Sequence, residues 1–197
     1  MRQGWTLIAL ALSCAALMMG VRAQAGQPSL KAGLVTLDFD DIECARHDAQ
    51  CEVGDQYMAQ GFALRYVPAV DEPMAAGLVA LGTQWKGNRK GSTAVAIRSC
   101  EAQVLLMAND NQPFDVLSVD VAPLEGEGPL TLEFVGQRED GTEVKLPVKL
   151  ARKAGWQKVV FTPAFRGLSS LQWAQGACLD PRLHMVDNLS LMRPTRP

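Results

Sequence analysis

What most constrains this chain is alternation. In Phe114-Asp115-Val116-Leu117-Ser118-Val119-Asp120-Val121 most apolar residues fall two apart, and Leu130-Thr131-Leu132-Glu133-Phe134 and Val144-Lys145-Leu146-Pro147-Val148-Lys149-Leu150 do the same. Successive side chains of a strand point to opposite faces, so a period of two marks a strand with one buried and one wet face. Short apolar-rich runs between turn residues predict strands over Leu34–Asp40, Gly61–Val67, Leu78–Thr83, Thr93–Arg98, Ala102–Ala108, Phe114–Ala122, Leu130–Gln137, Glu143–Leu150, Trp156–Thr162, Ser170–Ala174 and His184–Met192, and several of them alternate. Glu139-Asp140-Gly141-Thr142 separates two of these runs and predicts a hairpin, because Asp-Gly tolerates the positive φ of tight turns. Pro147 lacks an amide hydrogen, which places its strand at a sheet edge or starts it late. Helical periodicity is nearly missing; Ala45–Gln60 is expected to carry a turn or short helix. Many short strands with Gly/Pro turns and no helices between them indicate a two-sheet antiparallel sandwich.

The N-terminus predicts export. Arg2 precedes Trp5–Val21, a stretch without charge, and Ala23-Gln24-Ala25 follows as an A-x-A site; Val21-Arg22-Ala23 is a poorer one. That order is read by a signal peptidase. Seventeen uncharged residues fall short of the ~20 that span a bilayer. Cys14 raises a lipoprotein alternative, but Ala11 stands where a lipobox has leucine. The expected organisation is a signal peptide over 1–25, a lead-in over 26–33, a sandwich over 34–193 and a frayed tail over 194–197. Removing 25 of 197 residues leaves 172; Arg2 and Arg22 go with them, so 17 of 19 bases face 21 acids, a charge of about −4. That balance excludes a nucleic-acid partner, which needs a basic stripe. No later segment is apolar enough for a membrane anchor, so the mature protein is expected to be periplasmic or extracellular.

Four cysteines remain: Cys44, Cys51, Cys100 and Cys178. An even count in an exported chain reads as two disulfides. Three pairings can be drawn; Cys44–Cys51 with Cys100–Cys178 is favoured because the first two are close in sequence. Zinc on Cys44, His47 and Cys51 is the competing reading, and it lacks a fourth ligand nearby.

Two segments carry a resemblance. Val35-Thr36-Leu37-Asp38-Phe39-Asp40-Asp41, followed by Tyr57-Met58-Ala59-Gln60-Gly61-Phe62, stands near the start, and Met185-Val186-Asp187-Asn188-Leu189-Ser190-Leu191 near the end. Together they resemble jelly-roll β-sandwiches of the galactose-binding, carbohydrate-binding-module type. The chain is also similar to exported bacterial proteins bearing PEP-CTERM tails, through Phe114-Asp115-Val116-Leu117-Ser118 and the Gly136–Gly141 turn, but no such tail follows Leu191. The resemblance implies a jelly roll and a structural Ca²⁺ site, with Asp40 and Asp187 at the matching positions. Independently, Asp40, Asp41, Glu43, Asp48, Glu52 and Asp55 crowd one segment. Crowded carboxylates suit a hard cation, or form a solvated acidic loop.

For sugars, aromatic rings offer stacking surfaces, and Tyr57, Tyr66, Trp85, Trp156 and Trp173 are the candidates. Trp85 stands out, bracketed by Gly82 and Gly87 and followed by Lys86, Asn88, Arg89 and Lys90. A ring beside amide and basic donors suits a polysaccharide. For catalysis, Gly-x-Ser-x-Gly, His-Glu-x-x-His and phosphate-loop patterns are missing, and His47 and His184 are the two histidines. The residues therefore point to a non-catalytic exported module with a structural or binding role in the envelope or outside the cell. The alternatives are a carbohydrate binder using exposed aromatics and, with no residue pattern in its favour, a secreted hydrolase.

Overall fold

The computed structural model describes residues 33–69, 77–97, 99, 101–124, 130–151, 155–176 and 183–193. They form thirteen strands: β1 (Gly33–Leu37), β2 (Gln50–Gly54), β3 (Gln56–Ala59), β4 (Phe62–Val67), β5 (Leu78–Leu81), β6 (Ala94–Ala96), β7 (Gln103–Ala108), β8 (Asp115–Pro123), β9 (Leu130–Arg138), β10 (Glu143–Leu150), β11 (Gln157–Val160), β12 (Leu168–Ala174) and β13 (His184–Arg193). A short 3-10 turn at Pro163–Phe165 precedes β12.

The strands make two antiparallel sheets. The seven-stranded sheet runs β11-β8-β13-β6-β5-β2, with β1 also paired to β13; the six-stranded sheet runs β10-β9-β12-β7-β4-β3. Alternation decides the layers. Leu132, Phe134, Leu171, Trp173, Val104, Leu106, Phe62 and Leu64 of the second sheet meet Leu78, Val95, Val119, Val121, Val186 and Leu191 of the first in one core. Phe134 anchors it, with Phe161 and Trp173 at centroid distances of 5.2 and 5.7 Å. The sandwich and each of the eleven expected strands are present.

The hairpin between β9 and β10 turns through Gly141 at φ 82°, with the Thr142 amide donating to Asp140 Oδ1 at 2.9 Å. Pro147 lies on β10, an edge of the six-stranded sheet, where its missing donor costs least. Ala45–Gln60 carries the turn and no helix: the Ala49 amide donates to the Arg46 carbonyl at 3.1 Å, and the edge strands β2 and β3, which were not expected, follow. Tyr57 goes to the core, and Gln50–Gly54 pairs with β5. Among the described residues no helix is long and apolar enough to cross a membrane.

A second, smaller apolar cluster sits on the other side of the seven-stranded sheet. Val79, Leu81, Ala94, Ala96, Ala122, Leu124 and Met185 point away from the core, and Trp85, Trp156 and Leu183 cover them. That covering, rather than the core, positions the candidate site.

Candidate functional site

The site begins with strand β13, which changes neighbour half-way. One side follows β8 throughout. The other pairs with β6 at Met185 and Val186, then with β1 from Leu189 to Arg193. Asp187 and Asn188 occupy the switch. The β13–β8 register slips between Asp187 and Ser190, and Asn188 takes φ 49°. This is a β-bulge at a residue type that tolerates the left-handed region.

The bulge aims carboxylates at the outer face. Asp187 lies directly opposite Asp120 of β8; the two are 0% and 1% exposed. Like charges opposite one another destabilise a sheet, and buried ones more so. Hydrogen-bond donors offset this. The Asn188 side-chain amide donates to Asp120 Oδ2 at 3.1 Å and to Asp187 Oδ2 at 3.0 Å. The Asn188 backbone donates to Asp187 Oδ1 at 2.6 Å, and Ser92 Oγ–H to Asp187 Oδ2 at 2.7 Å. Arg89 Nη1 donates to Asp120 Oδ2 at 2.7 Å, and Lys158 Nζ stands 3.8 Å from Asp120 Oδ1.

Asp40 completes the set from the end of β1. It follows Phe39, whose φ of 58° turns the chain, and its Oδ1 accepts the Thr93 amide at 2.8 Å. Asp40 thus ties β1 to the start of β6 where β13 changes partner. Burial pushes the Asp187 carboxyl up to about 6, and the neighbouring Asp40 charge pushes the same way; the Ser92 and Asn188 donors and Arg89 oppose the rise.

The segment 82–93 covers this centre, and Asn88 closes its neck. The Asn88 amide reaches the carbonyls of Leu81, Gly82 and Ser92 at 3.0, 3.2 and 2.8 Å, and its Oδ1 accepts the Arg89 amide at 2.8 Å. Arg89 lies 5.2 Å from the Trp156 ring centroid. Trp85 is half-buried against the Val79–Met185 cluster, as is Trp156, and both indole nitrogens are covered.

At its base the segment rests on the disulfide loop. Cys44 and Cys51 are bridged, with Cα atoms 5.5 Å apart. The bridge occupies both thiols and removes the zinc reading. Between them His47 and Ala49 turn their carbonyls to the amides of Gln84 and Gly82 at 2.8 and 3.0 Å. Cys100 and Cys178, like the signal segment 1–25 and the tail 194–197, lie outside the described residues.

The structure therefore brings Asp40, Asp187 and the Trp85 segment together. Arg89 of the Trp85 segment and Asn188 of the last-strand motif join them, as do Asp120 and Ser92, which no motif marked. The six carboxylates of 40–55 are all exposed and do not converge. Asp48 pairs with Arg46 at 2.9 Å, and Asp41 accepts the Tyr57 hydroxyl at 2.7 Å. Tyr57, Tyr66 and Trp173 are core residues. His184 is fully buried in β13.

As a place for a hard cation, the centre fits in part. Asp40 and Asp187 are neighbours, and Asp120 Oδ1 is buried without a hydrogen-bond donor. Yet Arg89 already supplies positive charge to Asp120, and no group of three or more His, Cys, Asp or Glu side chains among the described residues is arranged to hold a metal. A calcium ion here would rest on Asp40 and Asp187, with the remaining oxygens drawn from backbone or solvent.

No protein-family model matches the chain, and no curated protein matches it. Among solved structures it is similar to a DUF4465 family protein from Bacteroides ovatus ATCC 8483. The two share 10% identity over 82% of this chain and 99% of that one, with a TM-score of 0.46.

Proposed function

We propose that this protein is an exported, non-catalytic β-sandwich module of jelly-roll type, with a structural or binding role in the bacterial envelope or extracellular space. The observation that carries it is the Cys44–Cys51 bridge, since disulfides persist in oxidising compartments. The engagement of the buried polar groups supports the non-catalytic part. Asp187 Oδ2 and Asp120 Oδ2 take the donors of Ser92, Asn188 and Arg89, holding strands and a covering segment in place. Fractionation of cells making the full chain tests the reading: the protein belongs in the periplasm or the medium, and retention in the cytoplasm contradicts it.

The meeting of Asp40 with Asp187 favours a second reading, in which a structural calcium ion bridges the first and last strands. An ion that binds only the folded state stabilises it by mass action. Metal-stripped protein should then melt higher in calcium than in chelator, and coincident melts contradict the ion. Polysaccharide binding through Trp85 is the companion proposal. Its half-exposed ring and the Arg89–Trp156 pair beside it support this.

A further inference from the structure

The outer face of the six-stranded sheet is a different surface from the carboxylate centre, and none of the readings above uses it. Its strands turn Tyr57, Phe62, Tyr66, Phe134 and Trp173 inward. What remains outside is carboxamide, methionine, scattered charge and a few aliphatic side chains, among them Leu105 beside Arg65, with no aromatic ring on this face among the described residues. Across β3, β4 and β7 lies a cleft of about 320 Å³.

Register builds this cleft. Met58, Ala63 and Met107 stand side by side on the three strands, and Gln56 pairs with Arg65 in the next row. Ala63 alternates with core residues Phe62 and Leu64, so its side chain faces outward, yet it is only 2% exposed. It is a floor with a methionine wall on each side; Met58 is 63% exposed. Asn109 and Asn111 line the end beyond β7. Arg65 lines the cleft too, exposed and without a hydrogen-bond or ion-pair partner among the described residues. The acid between the two asparagines, Asp110, is neutralised by Arg193 at 2.8 Å.

We infer that this cleft binds an acidic glycan, with Arg65 as the receptor for a uronate carboxylate. A guanidinium with open donors matches a carboxylate by charge and by its planar fork. Gln56, Asn109 and Asn111 each offer a donor and an acceptor, which suits ring hydroxyls. The thioethers of Met58 and Met107 are soft, adaptable walls for the apolar face of a sugar ring. A neutral glycan would leave Arg65 unused, and this aromatic-free face has no stacking platform to hold one.

Methyl-¹³C-methionine protein, titrated with oligogalacturonate and separately with the methyl-esterified oligomer, tests this. The acid should move the Met58 and Met107 methyl resonances and leave Met185, buried on the opposite sheet, in place. Arg65→Gln should weaken binding about tenfold, the loss expected for one charge-assisted contact, with an unchanged Met185 signal reporting an intact fold. The ester should bind wild type as weakly as the acid binds the variant. No shift with the acid, or equal binding of acid and ester, overturns the inference without any variant. Failure here leaves the Trp85 reading untouched, because the probe methyls belong to the other sheet.

Discussion

Arg193 shows how a single end-of-strand residue earns its burial. Its guanidinium donates to Asp110 at 2.8 Å and to the Gly61 carbonyl, and lies 4.6 Å from the Phe62 ring centroid. Burial pushes the Asp110 carboxyl up, but the Gln112 amide at 3.2 Å and Arg193 outweigh it, so its pKa lies below the ordinary value. A lowered carboxyl contributes stability that is full above its unfolded pKa and is lost as pH falls through the folded one. Asp110→Asn should therefore flatten the acid limb of the melting curve below about pH 4. At neutral pH it should cost roughly 2 kcal/mol, because the buried guanidinium loses its counter-charge. Melts of the two proteins across pH check this, and parallel acid limbs contradict it.

Residues also set how much of the site was legible beforehand. Asp40 and Asp187 stand in short motifs that a resemblance can pick out. Asp120 and Arg89 could not be found that way, because their role comes from cross-strand register and from where the segment 82–93 lands. Asp120 did carry one local signal: it is a charge set between the core residues Val119 and Val121.

At the scale of elements, alternation was a sufficient guide wherever a strand had one wet face, and continuous apolar runs between turn residues marked β5 and β6, which are buried on both faces. It failed at β2 and β3. Gln50–Gly54 is a short edge strand among acidic residues, held by pairing with β5 and by the Cys44–Cys51 bridge rather than by an apolar stripe. The chain-entropy model assigns about 2.5 kcal/mol to so short a disulfide loop.

That loop and the segment 82–93 meet at Gly82, where a β-carbon would stand 2.4 Å from the His47 carbonyl oxygen. Gly82→Ala should cost about 1–3 kcal/mol through this overpacking of backbone on backbone. A chemical denaturation midpoint unchanged from wild type would contradict the contact. Trp85 rides on the same segment and is half-buried over the Val79–Met185 cluster. Its replacement by alanine should cost roughly 2 kcal/mol, below the 3–5 of a fully buried aromatic. An unchanged melting temperature would mean that the ring stands free of the sheet.

On the whole-molecule scale the protein is a sandwich with one conventional core and one dressed outer face. The seven-stranded sheet is buried on both sides over its upper half. A loop, two tryptophans and a bulge with two opposed carboxylates make this second layer. The six-stranded sheet leaves its outer face open, with a cleft across β3, β4 and β7. One side is fixed by a disulfide and ion pairs, and the cleft lies on the other.

Export and oxidation are the central claim, and the intact mass of protein recovered from the envelope or medium tests both together. The account predicts a chain beginning at Gly26, after cleavage behind Ala25, and lighter by the four hydrogens that two disulfides remove. A mass that retains Met1, carries lipid on Cys14, or shows all four mature cysteines as thiols would contradict it.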